Sequence, residues 1–364
     1  MKRFEIIEDR WGDPVVKVNA AEDARIKREI KTVYKILDGT ATKLIEDGTL
    51  EGFGFDREIM NAAIKSKKDS EPYIVGRFDA RYEPDKPLKF YELNTLYAGG
   101  FCDKYEEELG TRRSQLGRAE YVYEYGMKRA WKNVARYTKE RAISSVGYLS
   151  VAPDVEDARF LDREAAGVIR FSLPKQKIDI VPASCPPDDS FGLCTYLHNC
   201  SSNTLLLPAA WNMLLDNKAI WAYAYRFNPG HPNLIPTSFD PQDFLNPNGS
   251  LHAYWQKNRT ILAKPVYDCQ GKGQLLIESL EQAREQKEDS ASQIYSAWMP
   301  PWVDTEKGVK IELHGYILNG GRSAAYMFAS VNENSYYEDI PHFVEVNPSR
   351  RHQSTRSESS FEPA

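Results

Sequence analysis

No apolar run in this chain approaches the ~18 residues that a membrane-spanning helix needs, so no transmembrane helix is expected. No apolar segment follows the basic start "MKRFEIIEDRWGD", so no secretory signal is expected either. Charge of one sign is not in excess: 47 Lys and Arg against 52 Asp and Glu leave a formal net charge of −5. That balance argues against a general nucleic-acid binder, while leaving room for a local basic groove. Cysteine is scarce. Five residues at irregular positions (102, 185, 194, 200 and 269) do not make a disulfide framework and suit reduced thiols in a cytosolic protein. Cys194 and Cys200 flank His198 in "CTYLHNC", but no second ligand pair follows at zinc spacing, so structural zinc is not expected. No internal repeat and no long flexible linker is present, and nothing pairs like a Ser/His/Asp or Cys/His nucleophile.

What is present suits a folded protein. The 364 residues allow one multi-lobed unit or two to three domains, and 41% hydrophobic with 27% charged residues is ordinary for a globular chain. The 21 Tyr and 7 Trp favour real cores and pockets. Residues 4–8 and 14–18 read as short strands around a "WGD" turn. The spacing of Ile26, Ile30, Val33, Ile36 and Leu37 predicts a helix over 21–46, and a second helix is expected over 56–67. "YIVGRFDARY" and "LKFYELNT" alternate at period two around the turn "EPDKP", which predicts a hairpin. A helix over most of 110–140 is followed by a strand in "SSVGYLSVA", a helix in "DVEDARFLDREAAG" and a strand in "VIRFSLP". That order predicts a parallel βαβ layer. "LLLPAAWNMLLDNKAIWAYAYRF" reads as helical on both sides of a break near Asp216. Strands return from 260, a helix is expected over 280–288, "GG" and "NEN" supply hairpin turns, and the polar tail 347–364 reads as disordered.

Three groups carry potential chemistry. On a strand, residues two apart share a face, so Arg77 and Asp79 go together, as do Glu92 and Asn94. If the two strands pair through "EPDKP", the two pairs become neighbours across the ladder. Two carboxylates and a carboxamide on one face suit Mg²⁺ completed by phosphate oxygens and water. Arg77 could clamp a phosphate or carboxylate. A solvated polar strand face with an Arg–Asp pair stands as the alternative. The second group is Lys218, in an apolar setting, and Lys264, which ends a strand before a glycine loop holding Gly271 and Gly273. Such a loop can bring backbone N–H groups to phosphate, or serve only a hairpin turn. It is not a Walker A loop, because "GKG" lacks the spaced glycine and the Ser or Thr after Lys. The third is "QIYSAWMPPWVD", where an apolar strand running into two prolines leaves backbone groups near Ser296 and Trp298 for a purine edge, or is simply a core strand.

Five pieces occur in one order: "GRFDAR…FYELNT", "DNKAIWAY…NPGHPNLIP", "ILAKPVYDCQGKG", "IYSAWMPP" and "HGYILNGG…DIPHF". That order resembles the synthetase domain of the glutathionylspermidine synthetase family of ATP-grasp carboxylate–amine ligases, and more distantly the eukaryotic glutathione synthetases. The resemblance spans roughly residues 70–346. It implies an α/β protein with α+β lobes: an ATP-grasp fold with mixed sheets and an inserted βαβ-type substrate lobe. The lobes expected are 1–110 (N-terminal helices and metal hairpin), 111–205 (acceptor substrate) and 206–346 (ATP). It implies ATP and Mg²⁺ as cofactors, with Asp79, Glu92 and Asn94 as metal ligands and Asp268 as an additional acidic one. Arg77 would contact the transferred phosphoryl group and the acid, and Lys218 and Lys264 the ATP phosphates. The loop 268–273 would be the flap, and Ser296, Trp298 and Met299 would border adenine.

The activity implied is amide formation between a small carboxylate (an amino acid or peptide) and an amine through an acyl phosphate, in the cytoplasm. The alternatives are an ATP-binding pseudoenzyme or a small-molecule kinase. Partners would be small molecules, not nucleic acid or membrane. No separate amidase domain is expected. The sequence departs from the family pattern twice. Ala329 falls where the family usually has an arginine, and "DCQG" lacks the flap arginine. Arg322, seven residues before Ala329, is expected on the opposite face unless a bulge intervenes, and an arginine within 111–113 or 350–351 could reach in instead.

Overall fold

The computed structural model describes residues 3–8, 14–95, 119–143, 145–150, 177–182, 204–244, 260–266, 273–278, 282, 285, 293–331, 337–340 and 342–345. Strands β1 (Phe4–Glu8) and β2 (Pro14–Asn19) pair antiparallel. Asn19 then caps helix α1 (Ala20–Asp47), its side-chain oxygen accepting from the Glu22 N–H at 2.9 Å. The helix ends at Gly48, whose φ of 71° is the left-handed cap conformation. Ile26, Ile30, Val33 and Leu37 are fully buried along one stripe, as their spacing predicts. Helix α2 (Arg57–Lys68) lies within a residue of its expected bounds.

The centre is a six-stranded antiparallel sheet. Strand β3 (Val75–Arg81) pairs with β4 (Lys89–Asn94), which is the expected hairpin. On its other edge β3 pairs with β13 (Val309–Leu318), β13 with β14 (Ser323–Val331) and β14 with β15 (Tyr337–Ile340). The short β12 (Trp302–Asp304) also pairs with β13. The β13–β14 turn passes through Asn319, Gly320 and Gly321, with φ of 55°, 61° and 80°.

The two faces of this sheet differ. Phe78 and Ala80 of β3, Leu313 and Ile317 of β13, and Tyr326 and Phe328 of β14 pack with α1 in one core. Here α1 lies close to the backbone: a Cβ on Gly315 would meet Ile30 Cδ1 at 2.9 Å. On the other face α3 (Ala119–Glu140) lays Met127, Trp131 and Val134 against Tyr316, Leu318 and Ala325. Farther along that face lie Arg77, Asp79, Glu312 and His314, beside Met327 and Ala329 of β14.

A separate three-stranded parallel sheet has β5 (Ser145–Ser150) between β6 (Lys177–Pro182) and β7 (Thr204–Leu207). The parallel layer was expected, but its described partners are "KIDIVP" and "TLLL". The leucines of β7 therefore form a strand, not the start of a helix. An unbroken aliphatic run gives no period, and Pro208 after it does not continue a helix. The expected helix in "DVEDARFLDREAAG", the strand in "VIRFSLP", nearly all of the helix 280–288 and the tail 347–364 lie outside the described residues.

Two short helices, α4 (Asn212–Asp216) and α5 (Ala219–Phe227), stand on either side of the expected break near Asp216. A four-stranded antiparallel sheet follows, with β10 (Leu275–Ile277), β9 (Ile261–Pro265), β11 (Gln293–Ala297) and β8 (Thr237–Ser238) in that order. It has its own core of Ile261, Ala263, Ile277, Tyr295 and Ala297. The final strand β16 (His342–Glu345) adds parallel to β2, tying late residues to early ones, which local patterns did not foretell. Helices and mostly antiparallel sheets thus make a mixed α/β fold. Among the described residues no helix is long and apolar enough to cross a membrane.

Candidate active site

The hairpin register sets Arg77 opposite Asn94 and Asp79 opposite Glu92. Period-two counting paired Arg77 with Asp79 and Glu92 with Asn94, and the register brings the two pairs together on one face. The ladder slips after Asp79, because Ala80 pairs with Phe90 and leaves Tyr91 as a bulge residue. Tyr91 packs against the small core of the four-stranded sheet and has the Lys264 Nζ 6.0 Å from its ring centre. The bulge thereby connects the hairpin to the sheet that carries Lys264.

Asp79 is the hub. It accepts from Arg77 Nε at 2.8 Å, from Arg77 Nη2 at 3.2 Å and from Asn94 Nδ2 at 3.0 Å. Burial would raise its pKa, but Arg77, His314 and the Asn94 hydrogen bond outweigh that and hold the carboxylate below its usual range. Burial also works against the Arg77 charge, yet Asp79, Tyr316 and Glu92 keep the guanidinium firmly protonated. Lys218 Nζ stands 3.6 Å from Glu92 Oε2, where α5 begins. The Lys218 N–H donates to the Val266 carbonyl at 3.1 Å, which joins α5 to the end of β9. Lys264 is buried. Burial, reinforced by Lys218, pushes its pKa down, while Glu92, Glu312 and Asp79 pull it back. Two lysines, an arginine and at least three carboxylates therefore share one electrostatic neighbourhood drawn from β3, β4, β9, α5 and β13.

Two buried members of that neighbourhood were missed: Glu312 and His314, on the same face of β13. His314 lies opposite Asp79 in the ladder, with Nε2 3.9 Å from Asp79 Oδ1. Burial, helped by Arg77 and opposed by Asp79, drives His314 down to about 4, so the ring is neutral near pH 7. The signal was available in "KIELHGYIL", where period two places Glu312, His314 and Tyr316 on one face of an otherwise apolar strand.

Other expected residues fall as follows. Gly273 lies in the β9–β10 connection with φ of 69°, while Gly271 and Asp268 lie outside the described residues. Ser296 is buried in β11. The backbone donors expected to be available beside it are in part taken: Ala297 N–H goes to the Pro236 carbonyl at 2.9 Å and Trp298 N–H to the Thr260 carbonyl at 3.1 Å. β11 ends at Ala297, and these two N–H groups are taken before Pro300 and Pro301 are reached. Met299 packs on the small core, and Pro300 offers its carbonyl to Arg81 Nη1 at 2.9 Å. Ala329 is fully buried opposite Glu312. Arg322 sits in the turn before β14, at the end of that strand away from Ala329, and the arginines at 111–113 and 350–351 lie outside the described residues.

Among the described residues, no group of three or more His, Cys, Asp or Glu could hold a metal alone. The donor set is two carboxylates and the Asn94 amide. That fits a hard ion sharing its coordination with phosphate and water, and it does not fit a closed all-protein cage.

The family described as glutathionylspermidine synthase preATP-grasp matches residues 187–330. A Haemophilus influenzae protein named provisionally as an acid–amine ligase is 22% identical over 308 residues, covering 69% of this chain and 73% of the relative. The resemblance read from the ordered motifs is therefore met independently. Among solved structures, a glutathione synthetase-like effector from Globodera pallida aligns over 86% of this chain and 85% of its own, at 11% identity and a TM-score of 0.48. A protein of Methylobacillus flagellatus provisionally titled γ-glutamylcysteine synthetase aligns over 94% and 90%, at 9% identity and a TM-score of 0.41.

Proposed function

We propose that this protein is an ATP-dependent ligase that joins a small carboxylic acid to an amine. The observation that carries the reading is the meeting of Lys218 and Lys264 with the Arg77, Asp79, Glu92 and Asn94 hairpin, in a motif order that resembles the glutathionylspermidine synthetase family. Phosphoryl transfer needs positioning and charge neutralisation more than a nucleophilic side chain, and this is what the site contains. Asp79, Glu92 and Asn94 would hold Mg²⁺, with Asp268 as a further candidate; when bound, the ion supplies charge neutralisation on phosphate oxygens. Lys218 and Lys264 hold the phosphates. Arg77 orients the acid, whose carboxylate oxygen takes the terminal phosphoryl group as the bond to the leaving diphosphate breaks. The amine then displaces phosphate from the acyl carbon, giving the amide. Neutral His314 beside Asp79 adds no further positive charge. Ser296, Trp298 and Met299 border the adenine, with Gly271 and Gly273 in the covering loop.

Incubation with ATP, Mg²⁺ and paired panels of acids and amines tests this. Release of ADP and phosphate that requires both partners supports the ligase. ADP with a stable phosphorylated acid makes it a kinase. Binding without turnover across the panel, which the alanine at 329 would favour, makes it a nucleotide-binding protein without ligase activity.

A further inference from the structure

A cleft of about 650 Å³ opens at the end of the central sheet away from Asp79. That size lies within the ~300–1,000 Å³ of small-molecule sites. It is lined from α1, α2, the segment entering β3, α3, Trp211 just before α4, and the β13–β14 turn. The buried side chains of Ile74, Val75, Tyr316, Leu318 and Trp131 form a packed core around the start of β3. Four residues of extended chain, ~13 Å, run from Val75 to Asp79. The cleft is thus distinct from the proposed ligase site.

Its charges are balanced, and Arg136 already lies 4.0 Å from Glu140. The lining holds four acidic and four basic side chains, so a polyanion or a polyamine would each meet uncompensated like charge. One wall carries Arg136 and Arg322 beside Asn133 and Asn319, whose amides are bonded to each other at 2.5 Å. Arg322 is exposed and makes no ion pair among the described residues. The other wall is built on Trp211. Lys67 lies over its ring at 3.8 Å and is paired with Asp38, so that cation is already satisfied. The Trp211 Nε1–H donates to the Glu71 carbonyl at 3.1 Å, and the Glu71 carboxylate accepts from Ser66 Oγ at 2.5 Å. Burial raises the Glu71 pKa despite that hydrogen bond and Lys65, which is the condition an added cation would relieve. Tyr34 and Tyr137 add aromatic surface to the cleft.

We propose that this cleft is a second small-molecule site for an amino-acid-like zwitterion, with the carboxylate at Arg136 and Arg322 and the ammonium at Glu71. The test is calorimetric titration of the whole chain with glycylglycine, and with N-acetylglycylglycine and glycylglycinamide as probes lacking one charge each. Glycylglycine should bind, each blocked probe should bind about tenfold more weakly or worse, and Arg322→Ala and Glu71→Gln should each weaken glycylglycine about fivefold or more. Glu92→Gln, in the ligase site, should leave that binding unchanged. Arg322 is exposed, so Arg322→Ala keeps the test valid even where Glu71→Gln does not fold. No binding up to about 10 mM, equal binding of the blocked probes, or indifference to Arg322→Ala would overturn the proposal. So would loss in Glu92→Gln, which would place the dipeptide in the ligase site.

Discussion

The two faces of strands β3 and β13 are built from alternate residues and do opposite work. On one, Phe78, Ala80, Leu313 and Ile317 are fully buried against α1. On the other, Arg77, Asp79, Glu312 and His314 gather charge next to the two lysines, although Asp79, Glu312 and His314 are nearly as buried. Burying apolar area stabilises a fold, whereas burying charge costs free energy unless each group is paired. The shifted groups show that cost: burial drives the His314 pKa down to about 4 and pushes that of Lys264 down, and Asp79 is held ionised against burial by Arg77 and the Asn94 hydrogen bond. Strain of this kind clusters where chemistry is done. One face holds the hairpin still, and the other uses the rigidity.

Substitutions on the two faces should separate stability from activity. Phe78→Ala empties the α1 face and should cost ~3–5 kcal/mol in denaturant unfolding, lowering the amount of active protein but not the affinity of what remains folded. Glu92→Gln should lower turnover about 100-fold or more while the protein still folds, its unfolding midpoint falling less than in Phe78→Ala because buried Lys218 loses its carboxylate partner; full activity would remove Glu92 from the metal site. His314 gives a pH signature. Its folded pKa of about 4 lies below the ordinary 6.5, so the unfolded chain binds the extra proton between those values. Its contribution is complete above 6.5 and is lost as pH falls toward 4. The melting temperature should fall across that window, with a free-energy change on the order of 3 kcal/mol, and His314→Gln should flatten the slope. Arg81→Ala, which loses the bond to the Pro300 carbonyl, should raise the nucleotide KM about tenfold with little change in kcat. Smallest of all, Arg322→Ala should change ligase turnover less than about twofold, since its turn lies at the far end of β14 from Ala329. A large loss would mean that Arg322 reaches the site.

The hairpin was legible because period two is a local rule. It put Arg77 with Asp79 and Glu92 with Asn94 before any pairing was known, and the ladder then sets the two pairs opposite each other. The α1 stripe was legible for the same kind of reason at helical period. What escaped depended on partners far along the chain. That Glu312 and His314 face Asp79 follows from β13 pairing with β3, a contact across more than 200 residues that no local pattern encodes. The bulge at Tyr91 and the strand at 204–207 escaped because an aromatic in a strand and an aliphatic run each fit more than one structure. Of the two readings open near Trp298, the partners of its N–H and of Ala297's were not legible, because proline shows where its own N–H is missing, not where its neighbours' N–H groups go.

The central claim is that the polar face of the hairpin, with Lys218 and Lys264, forms a metal-assisted nucleotide site. ATP affinity measured by titration with and without Mg²⁺, in the natural chain and in Glu92→Gln, tests it directly. The account predicts that Mg²⁺ tightens ATP binding about tenfold or more in the natural chain and has little effect in the variant. Equal Mg²⁺ dependence in both, or no ATP binding in either, would contradict it.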